Sequence, residues 1–153
     1  GRGCLVTVSE GLCGLDGNSK MGKSLGNAIY LSDTPDEVWN KIRNAKTDTN
    51  RISVKIPGNP EVCSVYQYHK AFNSEGVEEV CSACRNAQMG CVACKKLLNE
   101  KMNAIMDPIR EKRHFYEEHK DMVRDIISEG TKKANEIGNR NIAEIKEKMH
   151  VII

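Results

Sequence analysis

A chain of 153 residues, 39% hydrophobic and 29% charged, has the length of one compact domain with at most an appendage. No apolar run approaches the ~20 residues that a bilayer-spanning helix needs, which excludes an integral helical membrane protein. The balance of 23 Lys+Arg against 21 Asp+Glu, net +2, neither announces a nucleic-acid partner nor excludes one.

The chain opens Gly1-Arg2-Gly3-Cys4, with no initiator Met and no signal-type apolar core; this reads as a cut and sets the expectation of a piece of a longer chain. Cys4-Leu5-Val6-Thr7-Val8 is a short strand candidate, and residues 11–26, rich in Gly and Asn, form a loop. Ala28-Ile29-Tyr30-Leu31 is a second strand candidate. A helix then starts with Thr34 as N-cap, Pro35 at its first position and Glu37 completing a capping box. Val38, Trp39 and Ile42 give it an apolar face, and Asn44 ends it. Pro57-Gly58-Asn59-Pro60 is a turn. Val62, Val65, Tyr66 and His69 recur at helical spacing, which puts Cys63 on that helix, and a further helix is expected over residues 77–85. Leu97, Leu98, Met102, Ile105, Met106 and Ile109 form a 3.6-residue core stripe that Pro108 should kink or mark as a junction. Phe115, Tyr116, Val123, Ile126 and Ile127 make the next stripe. After Gly130, Ala134, Ile137, Ile142, Ile145 and Met149 mark a final helix.

Cysteine is the outlying feature: seven, at 4, 13, 63, 81, 84, 91 and 94. Secreted disulfide scaffolds are shorter and carry an even number, so a reducing, cytoplasmic setting with metal binding is the favoured reading. Two ligand sets compete. Cys81, Cys84, Cys91 and Cys94 would make a closed tetrahedral zinc site, two CxxC pairs six residues apart. Cys63 in place of Cys81 would make the other. His69 is read as a hydrogen-bonded helix histidine, with a ligand role as the alternative.

Gly17-Asn18-Ser19-Lys20-Met21-Gly22-Lys23-Ser24 matches the phosphate-binding P-loop expression. Its context is wrong: no buried strand precedes it, and Leu25 is followed by Gly26-Asn27 rather than by a helix. The longer string, residues 14–29, closely resembles the mobile catalytic loop of class I aminoacyl-tRNA synthetases, whose usual signature is Lys-Met-Ser-Lys-Ser. With Ile29-Tyr30-Leu31-Ser32-Asp33, Thr47-Asp48, Pro57-Gly58-Asn59-Pro60, Leu98-Asn99, residues 107–113 and Tyr116, it is similar to the bacterial tryptophanyl-tRNA synthetase family. One departure is Gly22, where the family carries its first serine.

The resemblance implies a mainly α fold: a helical anticodon-binding domain (residues 51–153) preceded by a short irregular or β remnant of a Rossmann-type catalytic domain (residues 1–50). It implies that Lys20 and Lys23 stabilise the ATP phosphates as pyrophosphate leaves, with Met21 and Ser24 completing the ATP contact. It implies tRNA for tryptophan, ATP with Mg, and tryptophan as partners of a full-length homodimer. A subset of the family carries a [4Fe-4S] cluster on one distant Cys and a C-x6-C-x2-C run, here Cys63, Cys84, Cys91 and Cys94; zinc is the alternative. Cys81 is then a spare thiol beside the cluster, and Cys4 and Cys13 are small apolar residues. The family's His-x-Gly-His type signature begins at none of His69, His114, His119 or His150, so the chain alone is expected to be inactive. From Lys95 onward there are 13 basic and 11 acidic residues, a mixed surface on which Lys95, Lys96, Arg110 and Arg113 are the candidate tRNA contacts. A zinc-binding RNA or protein adaptor is the competing function.

Overall fold

The computed structural model describes residues 11–150; the strand expected over residues 4–8 and Cys4 lie outside them. Among the described residues there are five α-helices, two 3-10 turns and no strand, as the mainly α expectation required. The helices are α1 (Pro35–Arg43), α2 (Ser64–Phe72), α3 (Val77–Arg85), α4 (Cys91–Glu118) and α5 (Lys120–Lys148), and the 3-10 turns are Lys23–Leu25 and Pro60–Val62.

The residues that start α1 do so by local chemistry. Thr34 Oγ1 accepts from the Glu37 N–H, Glu37 reaches back to the Thr34 N–H, and Pro35 supplies the preset first turn. Residues 28–31 form no ladder. The Tyr30 N–H donates to Asp33 Oδ2 (2.8 Å) and the Asp33 N–H to the Tyr30 carbonyl (3.0 Å), so the segment closes into a turn instead of pairing as a strand. Cys63 is not on α2 but is its N-cap residue, in extended conformation (φ −96°, ψ 118°). Pro60 begins a 3-10 turn whose last bond, from the Cys63 N–H to the Pro60 carbonyl, delays the helix by one residue.

Contacts divide the chain into two compact units, Gly1–Ile109 and Arg110–Ile153. In the first, Leu15 from the loop, Val38 and Ile42 from α1, Ala45, Val65 and Tyr68 from α2, and Leu98, Met102 and Met106 from α4 form one core. Each large aliphatic buried there contributes about 1.5–3 kcal/mol of transfer free energy. The stripe on α4 is thus core where it was expected, although Ile105 and Ile109 stay largely exposed. Tyr68 is fully buried and its hydroxyl donates to the Cys13 carbonyl (3.1 Å), stitching α2 to the start of the loop.

Pro108 lies inside α4 and does not end it, and Gly130 lies inside α5. Loss of one N–H at Pro108 and the entropy cost of Gly130 are tolerated in helices of 28 and 29 residues, where many other bonds hold the register. Within the second unit, the Phe115 ring stacks on His119 (4.2 Å between centroids) at the break between α4 and α5. Ion pairs one turn apart, Arg113–Glu117 (2.8 Å) and Lys148–Glu144 (2.7 Å), add small increments to the exposed helical surface.

Candidate functional site

Two arrangements carry the chemistry-bearing residues, both in the first unit. The first is the lysine loop. Its base is Asn27, buried to 3% exposure, whose side chain bonds in three directions. Asn27 Oδ1 accepts from the Gly22 N–H (3.0 Å), while Nδ2 donates to the Lys20 carbonyl (2.9 Å) and to Asp16 Oδ1 (3.0 Å). Asp16 also accepts from the Asn18 N–H (3.0 Å), and these bonds to its ionised form hold its carboxyl below the ordinary range. The loop is anchored to the body because the Leu15 carbonyl accepts from the Lys46 N–H (2.8 Å) and from the buried Ser64 hydroxyl (3.1 Å).

The backbone of residues 20–22 is therefore pinned from below, and the Lys20 and Lys23 side chains are exposed. Met21 packs its thioether against the core and Ser24 is exposed. Lys23–Leu25 is one 3-10 turn ended by Gly26 at φ +61°, not the opening of a long helix, so the P-loop reading fails on structure as it did on sequence. Gly22 is extended (φ −164°, ψ 152°), a conformation that any residue adopts. What the loop offers is two solvated ammonium groups on a short segment held at its carbonyl and amide.

The second arrangement is the cysteine cluster. Cys63 caps α2, Cys84 sits in the last turn of α3, and Cys91 and Cys94 occupy the first turn of α4. The segment between Cys84 and Cys91 is a tight reversal: the Gln88 and Met89 N–H groups both return to the Ala83 carbonyl (2.8 and 3.3 Å), and Ala87 is forced to φ +55°. Gly58 approaches from the other side. Its N–H donates to the Cys84 carbonyl (3.0 Å), and a Cβ there would lie 2.6 Å from Cys84 Sγ.

Arg51 is the residue that the sequence did not flag. Its Nε donates to the Ile56 carbonyl (2.8 Å) and its Nη2 to those of Met89 (2.8 Å) and Val54 (3.1 Å). Nη1 is left facing Cys84 Sγ (3.7 Å) and Cys91 Sγ (3.9 Å). The only signal in sequence was an arginine placed before a Pro-Gly turn, which is too common to single out.

Burial pushes the Cys94 thiol up to about 12, with further like-charge repulsion from Cys63, Cys84 and Cys91. Burial likewise raises Cys63 and Cys84, the latter opposed by the Arg51 guanidinium. Cys81 instead faces Tyr66, whose hydroxyl it raises through a hydrogen bond. Cys13 packs against the core as a small apolar side chain, and all the described cysteines are free thiols. Among the described residues no three His, Cys, Asp or Glu side chains are close enough together to hold a metal ion, so the geometry by itself supports neither zinc nor a cluster.

His69 is fully buried beside Cys94 and burial lowers its pKa. Its Nε2 lies 3.2 Å from the Cys94 carbonyl, and Asn73 Nδ2 lies 3.1 Å from its Nδ1. It is a hydrogen-bonded helix histidine, as its spacing suggested.

The four expected tRNA contacts differ in circumstance. Lys95 is half-buried and its Nζ donates to the carbonyls of Arg43 (2.7 Å) and Ala45 (2.8 Å), the open end of α1. Desolvation lowers its pKa. Lys96 is exposed on the first turns of α4. Arg113 holds Glu117, and Arg110 is partly buried with an interaction partner of its own. No described helix is long and apolar enough to cross a membrane.

The family described as "tRNA synthetases class I (W and Y)" matches residues 5–107. The tryptophan–tRNA ligase of Borreliella burgdorferi is 42% identical over 146 residues, covering 94% of this chain and 42% of that protein. The tryptophan–tRNA ligases of Thermotoga maritima (40% identical; 92% of this chain, 43% of that protein) and Aquifex aeolicus (35% identical; 96% and 38%) are similar over the same extent. Among solved structures, tryptophanyl-tRNA synthetase from Campylobacter jejuni, complexed with ADP and tryptophan, superposes with a TM-score of 0.79 at 27% identity, over 92% of this chain and 43% of that one. The chain therefore spans about two-fifths of the length of the curated relatives it matches. With well over half of its residues inside the family match, it belongs to the class I tRNA synthetases of the W and Y type.

Proposed function

We propose that this chain is the C-terminal portion of a tryptophan–tRNA ligase, with residues 1–50 the tail of the catalytic domain and residues 51–153 the helical anticodon-reading domain. The parent enzyme joins tryptophan to its tRNA through an aminoacyl adenylate, using ATP and Mg, and works as a homodimer. The observation that carries this reading is the Asn27 clamp, which fixes the backbone at Lys20 and Gly22 while both lysine ammonium groups stay exposed.

Departing pyrophosphate accumulates negative charge as the carboxylate attacks the α-phosphorus. Ammonium groups on a short pinned segment can follow that charge at little reorganisation cost. Lys20 and Lys23 fill this role, and Met21 and Ser24 lie between and beside them. Alone, the chain supports no activation, because the nucleotide fold and the tryptophan pocket lie in other parts of the enzyme. In the full-length enzyme, Lys20→Ala and Lys23→Ala should each lower tryptophan-dependent ATP–pyrophosphate exchange by about 10²-fold or more. Exchange within twofold of the unsubstituted enzyme in both variants refutes the assignment.

The cysteine cluster is proposed to hold a [4Fe-4S] cluster on Cys63, Cys84, Cys91 and Cys94. The reading rests on ligand chemistry alone: the soft thiols of four cysteines suit iron–sulfur over hard cations. Arg51 supplies positive charge toward two of the sulfurs. Burial raises three of these thiols, which disfavours their ionisation away from a cationic centre. When bound, the group would join α2, α3 and α4 through one covalent node. Zinc on the same thiols, in an adaptor, is the second reading. Anaerobic purification followed by iron, sulfide and zinc analysis separates them: stoichiometric zinc without iron removes the cluster.

For the RNA role, Lys95, Lys96, Arg110 and Arg113 are the proposed tRNA contacts. Binding to the tRNA for tryptophan should weaken at least tenfold when its anticodon is changed, the scale of one lost base-specific contact. Insensitivity to the anticodon refutes the reading role.

A further inference from the structure

We infer that Ser64 is a positioning residue for the lysine loop: its buried hydroxyl fixes the seat from which Lys20 and Lys23 reach the leaving pyrophosphate. This rests on the role proposed above for those lysines. Ser64 is the first residue of α2 and is 4% exposed. Its Oγ donates to the Leu15 carbonyl (3.1 Å) and also faces the Lys46 carbonyl. Carbonyls only accept and a hydroxyl has one proton, so that proton is shared between two segments 49 and 18 positions away. The ring closes through the backbone, because the Lys46 N–H donates to the Leu15 carbonyl (2.8 Å) and the Ser64 N–H to the Lys46 carbonyl (3.3 Å).

From Leu15 the bonds run on into the loop. The Leu15 N–H donates to the Asn27 carbonyl (2.9 Å), and the Asn27 side chain holds the Lys20 carbonyl and the Gly22 N–H. Leu15 is 5% exposed and Asn27 3%, so little solvent is at hand to replace a donor lost at Ser64. The helical part of the chain thus reaches the catalytic lysines through one hydroxyl and the peptide groups of Leu15 and Asn27. The consequence is kinetic. Charge on the departing pyrophosphate is largest in the transition state, so a loop held less firmly loses kcat, while tryptophan binding, which the lysines do not serve, is kept. Alanine at 64 removes the donor, and cysteine fills the space with a much weaker one.

The experiment compares the full-length enzyme with its variants in tryptophan-dependent ATP–pyrophosphate exchange, with folding checked by urea titration. Ser64→Ala should lower kcat about fivefold, the worth of one neutral hydrogen bond, and leave KM for tryptophan within about twofold. In the 153-residue chain the same change should speed hydrogen exchange at the Leu15 and Gly22 amides about threefold or more, since both are bonded to Asn27. Leu98, in the same core on α4, should keep its wild-type exchange rate. If Ser64→Ala fails to fold, Ser64→Cys decides, with an expected fall in kcat of about threefold. A folded variant whose kcat stays at the wild-type value, or whose loss lies in KM for tryptophan, overturns the role of Ser64 while Lys20→Ala remains slow. Unchanged exchange at Leu15 and Gly22 does the same. If Lys20→Ala and Lys23→Ala themselves work at the wild-type rate, the loop assignment falls and this inference falls with it.

Discussion

Replacing Arg51 by methionine tests whether the segment ahead of α2 is held by one guanidinium. Methionine keeps most of the aliphatic length and removes every donor. Two half-buried carbonyls, Ile56 and Met89, lose charge-assisted partners at 2.8 Å, and the Val54 carbonyl loses a more exposed one. At about 1.5 kcal/mol for each of the first two, and little for the third, the loss is about 3 kcal/mol. With an m-value of about 1.5 kcal/mol/M for a chain of this size, the urea midpoint should fall by about 2 M in the reduced protein. Arg51→Lys should recover only a small part, because an ammonium cannot span carbonyls that a planar fork reaches from two sides. The thiol-exchange rate at Cys84 should fall in Arg51→Met, since the guanidinium favours its thiolate. A midpoint within 0.3 M of wild type, about 0.5 kcal/mol at that m-value, would show that water replaces the guanidinium at no cost and would refute the reasoning.

Gly58→Ala should cost about 1–3 kcal/mol in a urea titration, because its Cβ would lie 2.6 Å from Cys84 Sγ and 3.1 Å from Arg51 Cδ. In a Cys84→Ala background the cost should shrink by more than half, and additivity would contradict the clash. Ala87→Gly should stabilise by about 1 kcal/mol, since alanine is strained at φ +55°; loss of stability on that change refutes the strain. Tyr68 is raised from 10.0 to about 12 by burial, so its folded pKa lies above its unfolded one. Its contribution is complete below pH 10 and lost as pH rises from 10 toward 12, on the order of 2 kcal/mol in all. Tyr68→Phe should flatten that window in a pH series of urea midpoints, and an undiminished slope assigns it to other groups.

Where the signal was local, the sequence was legible. The capping box at Thr34, the span of α3, and the burial of Leu98, Met102 and Met106 all follow from residues within two turns of each other. The lysine loop was legible because its spacing is specific. The misses share a cause. Residues 28–31 have strand-like composition but no partner strand among the described residues, and Asp33 captures the Tyr30 amide instead. Cys63 fits the helical period yet falls one residue outside α2, because Pro60 starts a tighter turn first. Gly130 is a breaker by local rule and sits in a long helix that continues through it, whereas Pro108 lies where the two compact units divide, the junction its position suggested.

The residues that set up the sites are separated in sequence. Arg51 meets Cys84 and Cys91 across 33 and 40 positions, and Lys95 meets the end of α1 across 50 and 52. No pattern of neighbouring side chains encodes such meetings.

The lack of a long apolar run excluded a helical membrane span, and the order of residues in the loop and the segments after it pointed to the family. Those are properties of spacing along the chain, where each residue's neighbours are known in advance. Tertiary structure decided the rest: which ammonium stays in solvent, which is spent on carbonyls, and which guanidinium turns toward the sulfurs. Each of these depends on burial and on a partner brought from a distant element, and both exist only once α1, α2 and α4 have closed on a common core.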